Sequence, residues 1–132
     1  MKFKLPCLLV TAALVAGQVG SVSAHHSFAM FDEVKEQIVV GVVTEFQWTN
    51  PHTWIEMDVT DPKGVVKHWS IEGGSVLGLA RQGWKRTTIK PGDKISVLVH
   101  PLKNGGPGGS LMGVVTADGK ALGEPLTPPA KK

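Results

Sequence analysis

The sequence predicts an all-β domain with one short helix, a five-stranded OB-like Greek-key barrel in the order β-β-β-α-β-β. Three observations carry this expectation. Apolar residues recur at every second position in several short runs, the pattern of half-buried strands. Turn sequences rich in Pro, Gly and Asp separate those runs. One segment with a capping residue and helical spacing falls between the third and fourth runs, where an OB-type barrel carries its helix. The alternative is an open β-sandwich of the same strands. A chain of 132 residues has room for one domain of roughly 100–200 residues, which excludes a multidomain enzyme or a solenoid.

The first strand is expected over residues 37–48. Ile38, Val40, Val42, Phe46 and Trp48 form its inward face, with Glu45 and Gln47 between them. Val39 and Val43 blur this alternation, and Gly41 in mid-strand marks a bend or bulge of the kind that lets a barrel turn. Asn50-Pro51 ends the run. The second strand, 53–60, places Ile55, Met57 and Val59 inward and Trp54, Glu56 and Asp58 outward. In Asp61-Pro62-Lys63-Gly64, Pro presets φ and Gly takes the left-handed position, so the third strand, 65–72, returns as a hairpin. Ser75 is positioned to cap a helix through Gln82 that turns Val76, Leu77, Leu79 and Ala80 inward, with Gly83 as its C-terminal glycine. Pro91-Gly92-Asp93 leads into a fourth strand, 94–100, with Ile95, Val97 and Val99 on the core face. Residues 103–109 read as a glycine-rich loop, 111–116 as the closing strand, and 121–132 as a disordered tail.

Residues 1–24 have the composition of a cleaved secretory signal peptide. Lys2 and Lys4 form a basic start, 8–16 an apolar core, and Val22-Ser23-Ala24 the small residues a signal peptidase reads. The apolar run is shorter than the roughly 20 residues that span a bilayer. The expected division is therefore leader 1–24, N-terminal segment 25–36, barrel 37–120 and tail 121–132, in the periplasm or secreted, with no membrane association after cleavage. The mature chain would keep 108 of the 132 residues, and twelve basic against eleven acidic side chains leave it at +1. That balance removes the argument for nucleic acid that the basic precursor would make. The one cysteine, Cys7, falls within the leader, so the mature chain has no disulfide, thiolate ligand or cysteine nucleophile.

Cleavage after Ala24 exposes His25-His26. A first-position histidine offers its α-amine and imidazole to one metal, and nitrogen-rich sites of this kind favour Cu(II). The bland alternative is that two histidines merely begin the mature chain. The segment Trp48-Thr49-Asn50-Pro51-His52-Thr53-Trp54 occupies the loop between the first two strands, which OB-type barrels use for ligands. His52 is the expected third metal ligand after His25 and His26, and copper the expected metal, with zinc or no metal as alternatives. Trp48, Asn50 and Trp54 form the candidate ligand-binding loop. The competing view is a rigid turn with core tryptophans and a histidine bonded to a backbone carbonyl. Met30 is a possible auxiliary ligand. Glu72 is another, either orienting a metal-bound histidine or capping the helix. His68 and His100 read as surface or rim histidines, Met57 as packing, and Asp32 and Glu33 as carboxylates near the N-terminus.

Other chemistries find no support. Gly105-Gly106-Pro107-Gly108-Gly109 lacks the lysine and following helix of a phosphate loop, and neither GxSxG nor HExxH is present. No second catalytic group has a defined role, so the sequence reads as non-enzymatic.

His25-His26-Ser27-Phe28-Ala29-Met30-Phe31-Asp32, Asn50-Pro51-His52, Trp69-Ser70-Ile71-Glu72, Gly83-Trp84 and Pro91-Gly92-Asp93 together resemble an uncharacterised family of small secreted bacterial proteins. The resemblance spans the mature chain and implies export and one β-rich domain, without a function. The N-terminal histidine is similar to that of periplasmic copper-binding proteins and copper monooxygenases, a likeness of chemistry resting on one or two residues. These observations lead to the expectation of an exported Cu(II) carrier or chaperone. The alternative is a periplasmic interaction module holding a glycan, peptide or partner protein.

Overall fold

The eleven residues of β1 (Gln37–Gln47) serve two neighbours in turn. The first half, from Gln37 to Val42, pairs antiparallel with β4 (Lys94–Pro101), and the second half, from Val42 to Gln47, pairs antiparallel with β2 (Trp54–Thr60). β2 continues through the Asp61 turn into β3 (Val66–Glu72), and β4 pairs with β5 (Gly108–Val115). A parallel pairing of Ser70, Ile71 and Glu72 with Gly108, Gly109 and Ser110 joins β3 to β5 and closes the barrel. That closure decides against the open sandwich. The computed structural model describes residues 26–127, so the leader, His25 and residues 128–132 lie outside the described residues.

Closure depends on small residues. A Cβ on Gly108 would sit 2.8 Å from Ser70 O, and one on Gly109 would sit 2.7 Å from His100 O. The expected glycine-rich loop therefore ends earlier than its composition suggested, and its last two glycines are strand residues. The expected tail is also corrected at its start. β6 (Ala121–Gly123) pairs with β5 outside the barrel, burying Leu122. The tail reading missed this strand because its three residues depend on a partner edge, not on their own pattern.

The inward face of β1 differs from the expected one. Val39, Gly41 and Val43 point into the core, whereas Val40 and Val42 are 46% and 42% exposed. The register against β2 slips between Val43 and Glu45, and beyond the slip the even-numbered Phe46 and Trp48 pack on the core. A bulge adds one residue to a period of two, so the apolar phase changes sides across it. The residues that blurred the alternation are the true core of the first half.

Most other elements match their expectations. Ile55 and Met57 are fully buried and Val59 packs partly buried against the core; Ile95, Val97 and Val99 are buried from β4, joined by Ile71, Ile89 and Val114. Asp61 Oδ1 accepts from the backbone N–H groups of Lys63 and Val65, and Gly64 takes φ +81°. α1 (His26–Ala29) is a single turn, and α2 (Val76–Arg81) is capped by Ser75, whose Oγ accepts from Gly78 N. Of α2 only Leu79 is buried, while Leu77 is 60% exposed and Ala80 is exposed. A helix of six residues turns one narrow stripe to the barrel, not four positions.

The outer face of β2 and β3 carries a polar cluster. His68 Nδ1 lies 3.0 Å from Asp58 Oδ1 and its Nε2 3.0 Å from Glu56 Oε2, while Ser70 Oγ donates to Glu56 Oε1 at 2.8 Å. His68 is on the surface as expected, though held between two carboxylates. The hydrogen bond to Asp58 raises its pKa above the ordinary value of 6.5; desolvation opposes the rise, and the contact with Glu56 adds to it. A raised value means the protonated ring stabilises the fold fully below about pH 6.5, and this contribution is lost as pH rises through the elevated pKa. Because the group is exposed, the effect should stay below about 1 kcal/mol. Thermal melts of the protein and of His68→Gln should differ at pH 5.5 and converge toward pH 8.5. A difference independent of pH would contradict this linkage.

No helix among the described residues is long and apolar enough to cross a membrane.

Candidate functional site

The loop between β1 and β2 is pinned to the end of β3 at several points. Thr53, 1% exposed, donates both its N–H and its Oγ1–H to Gly74 O at 3.0 Å, and Gly73 N–H returns a bond to Thr53 O at 2.8 Å. Asn50 Oδ1 accepts from Val76 N at 3.0 Å, satisfying one of the open N–H groups at the start of α2. Ser75 satisfies another. With the helix capped by these two residues, Glu72 has a different role.

Glu72 is 6% exposed at the last position of β3. Its Oε1 stands 3.2 Å from His52 Nδ1, which also lies 3.2 Å from Gly73 O. A backbone carbonyl can only accept, so Nδ1 carries the proton and the lone pair of the neutral ring belongs to Nε2. Of the two roles expected for Glu72, orienting the histidine matches the geometry.

His52 and Glu72 open onto a cleft of about 710 Å³. Leu79 and Trp84 line it from the α2 side, Ser110, Leu111 and Met112 from β5, His100 from β4, and Phe28 and Glu33 from the N-terminal segment. That segment is fastened beside it. Phe31 is 3% exposed and bridges to Leu102, Asp32 N–H donates to Pro101 O, and Lys103 donates its backbone N–H to Met30 O and its Nζ to Ala29 O. His100 Nδ1 lies 2.8 Å from Lys35 O. Asp32 is occupied by Lys35 at 2.8 Å, and chiefly this contact holds its carboxyl below the usual value.

The expected site residues separate into groups. His52 and Glu72 meet. Trp48 packs on the core against Phe46, ring centroids 5.6 Å apart, and Asn50 is committed to α2. Trp54 is half-buried on β2 and is not among the residues lining the cleft. Met30 is 50% exposed and outside the cleft lining. His25 and the side chain of His26 lie outside the described residues. His100, expected at a rim without a role, shares the cleft with His52. Its position at the end of β4 was legible, but its neighbours depend on β4 pairing with β5 and β5 with β3. Among the described residues no three His, Cys, Asp or Glu side chains are close enough to hold a metal ion.

The profile of one protein family matches residues 13–111, about three quarters of the chain. The chain belongs to DUF6152, a family of unknown function. Family membership agrees with the expected resemblance to an uncharacterised family. No curated protein and no solved structure matches the chain.

Proposed function

We propose that this DUF6152 protein is exported and binds a metal ion, Cu(II) foremost, as a carrier or chaperone rather than an enzyme. One observation supports this above the others. The His52 ring is held through Nδ1 by Glu72 and Gly73, leaving Nε2 without a partner among the described residues, in a cleft that the N-terminal segment also lines. Imidazoles that bind metals commonly donate their other N–H to a carboxylate or carbonyl in this way. Signal cleavage after Ala24 would create an α-amine at His25, three residues before Phe28 of the cleft, a stretch that spans at most about 11 Å. His25 would supply amine and imidazole, His52 a further nitrogen, and His26 an auxiliary one. Three His, Asp or Glu groups do not converge among the described residues, so the ion needs these N-terminal donors.

Calorimetric titration with Cu(II) should show one tight site in the chain beginning at His25. One extra residue ahead of His25 removes the terminal chelate and should weaken that site at least tenfold, about 1.4 kcal/mol. Glu72→Gln should weaken it about 10- to 100-fold, the usual effect of disturbing a ligand's hydrogen-bonding partner. Equal affinity in all three chains would remove the proposal.

The second reading is an interaction module holding a glycan, peptide or partner protein. The apolar lining of the cleft by Leu79, Trp84, Leu111 and Phe28 favours it. On that reading, partner capture would survive His52→Gln and the addition of a metal chelator.

A further inference from the structure

The charged groups lining the cleft are all of one sign. Glu33 and Glu72 supply carboxylates, and no Lys or Arg side chain lines it among the described residues. Two basic side chains of the adjoining segments are engaged elsewhere. Lys103 Nζ donates to Ala29 O at 2.8 Å, and Lys35 pairs with Asp32 at 2.8 Å. The two imidazoles add acceptors. His52 Nδ1 faces Gly73 O and Glu72, and His100 Nδ1 lies 2.8 Å from Lys35 O. A carbonyl only accepts, so each neutral ring carries its proton on Nδ1 and its lone pair on Nε2. The side-chain donors left to a ligand are neutral: the hydroxyls of Ser75 and Ser110, the Gln82 amide and the Trp84 indole.

This lining selects by charge. An anion would meet two carboxylates without a cation to receive it. An ammonium brings three donors, no acceptor and a positive charge. Glu72 is 6% exposed, so its attraction for a cation is screened less than that of a surface acid. The opposite requirement, an apolar one, comes from Leu79, Trp84, Leu111 and Phe28. Phe28 is 56% exposed, a large apolar side chain left in water at the cleft wall. A ligand with an apolar body would cover that surface. A cleft of about 710 Å³ is also of the size that holds small molecules.

We infer that the cleft binds a small organic amine. Its ammonium lies on the polar wall that carries Glu72 and His52, with Glu33 reinforcing the negative potential. Its apolar body packs against Phe28, Leu79, Trp84 and Leu111. This goes beyond the proposed metal site, and it uses no residue before Phe28.

The test compares three ligands that share one phenyl ring, phenethylamine, phenethyl alcohol and phenylacetate, by calorimetry and amide chemical shifts at neutral pH. EDTA is present throughout, so failure here leaves the copper site standing, and failure of that site leaves this one. The amine should bind about tenfold or more tighter than the alcohol, and phenylacetate weakest. Glu72→Gln should abolish the preference for amine over alcohol. Because that variant alters a buried contact, Glu33→Gln, on the exposed segment, serves as the second. It should weaken the amine about twofold or more, as for an exposed charge, and leave the alcohol unchanged. Phe28→Ala should weaken amine and alcohol alike. Equal binding of all three ligands, or of none, overturns the inference. So does tighter binding of N-acetyl-Phe-Lys-amide than of phenethylamine, which would give the site to a lysine-bearing peptide.

Discussion

Trp84→Ala should lower the free energy of unfolding by about 3–5 kcal/mol, the usual cost of truncating a large buried aromatic side chain. Trp84 is 2% exposed and belongs to the single core cluster. Its ring lies 6.0 Å from that of Phe46, on the part of β1 beyond the bulge, while its backbone N–H bonds to Leu79 O at the end of α2. The side chain therefore ties α2 to the barrel and also forms part of the cleft wall. In a domain of about 100 residues, each kcal/mol shifts the melting temperature by roughly 4–8 °C, so the variant should melt at least about 12 °C lower. Urea denaturation followed by circular dichroism reads the free-energy change directly. Trp84→Phe should recover part of the loss by keeping an aromatic ring against Phe46. A cost under about 1 kcal/mol for the alanine variant would contradict the placement of Trp84 in the core.

Gly41→Ala should cost about 3 kcal/mol, at the upper end of the range for overpacked interiors. A Cβ built on Gly41 falls 2.5 Å from Asp58 O and 2.6 Å from Met57 Cε. The methionine tip could turn aside; the carbonyl oxygen is backbone of β2 and cannot move without disturbing the β1–β2 pairing. Gly41 lies in the stretch where β1 changes partners from β4 to β2. Val40→Ala is the matched control. Its side chain is 46% exposed on the outer face, and truncating it should change stability by no more than about 0.5 kcal/mol. Denaturant midpoints for the two variants test the register as well as the glycine. If Val40→Ala were the costly change, the inward phase first expected from alternation would be right and the bulge wrong.

This pair of variants also shows how far the sequence alone could be read. Strand two displays its inward face openly because Ile55, Met57 and Val59 alternate with polar residues over a straight, regular run. The first strand hides its face because Thr44, next to the register slip, inverts the phase midway, and a string of valines on both sides of the ribbon supplies no contrast. The hairpin at Asp61 and the cap at Ser75 were legible because a local side chain bonds a local backbone group. β6 was not, because a three-residue strand is defined by its neighbour.

The candidate site divides in the same way. His52 stood out by its proline-fixed loop, and Glu72 by its place before the glycine pair. Their contact, 3.2 Å across twenty residues of chain, depends on Thr53, Gly73 and Gly74 pinning the loop to β3. Trp54 stayed outside the cleft because the alternation of β2 gives it to the opposite side from Ile55 and Met57. His100 entered the cleft only because β3 and β5 close the barrel.

The amino-acid sequence by itself determined the fold class, the order of the five barrel strands and α2, the local turns and caps, and the presence of two histidines beside the expected new N-terminus. These follow from side-chain periodicity and short-range bonding, which act over a few residues. Tertiary structure alone decided which face of the first strand is buried, and that His52, Glu72 and His100 share one cleft with the N-terminal segment. Strand register and barrel closure set those relations, and both arise from pairings between residues distant in the chain.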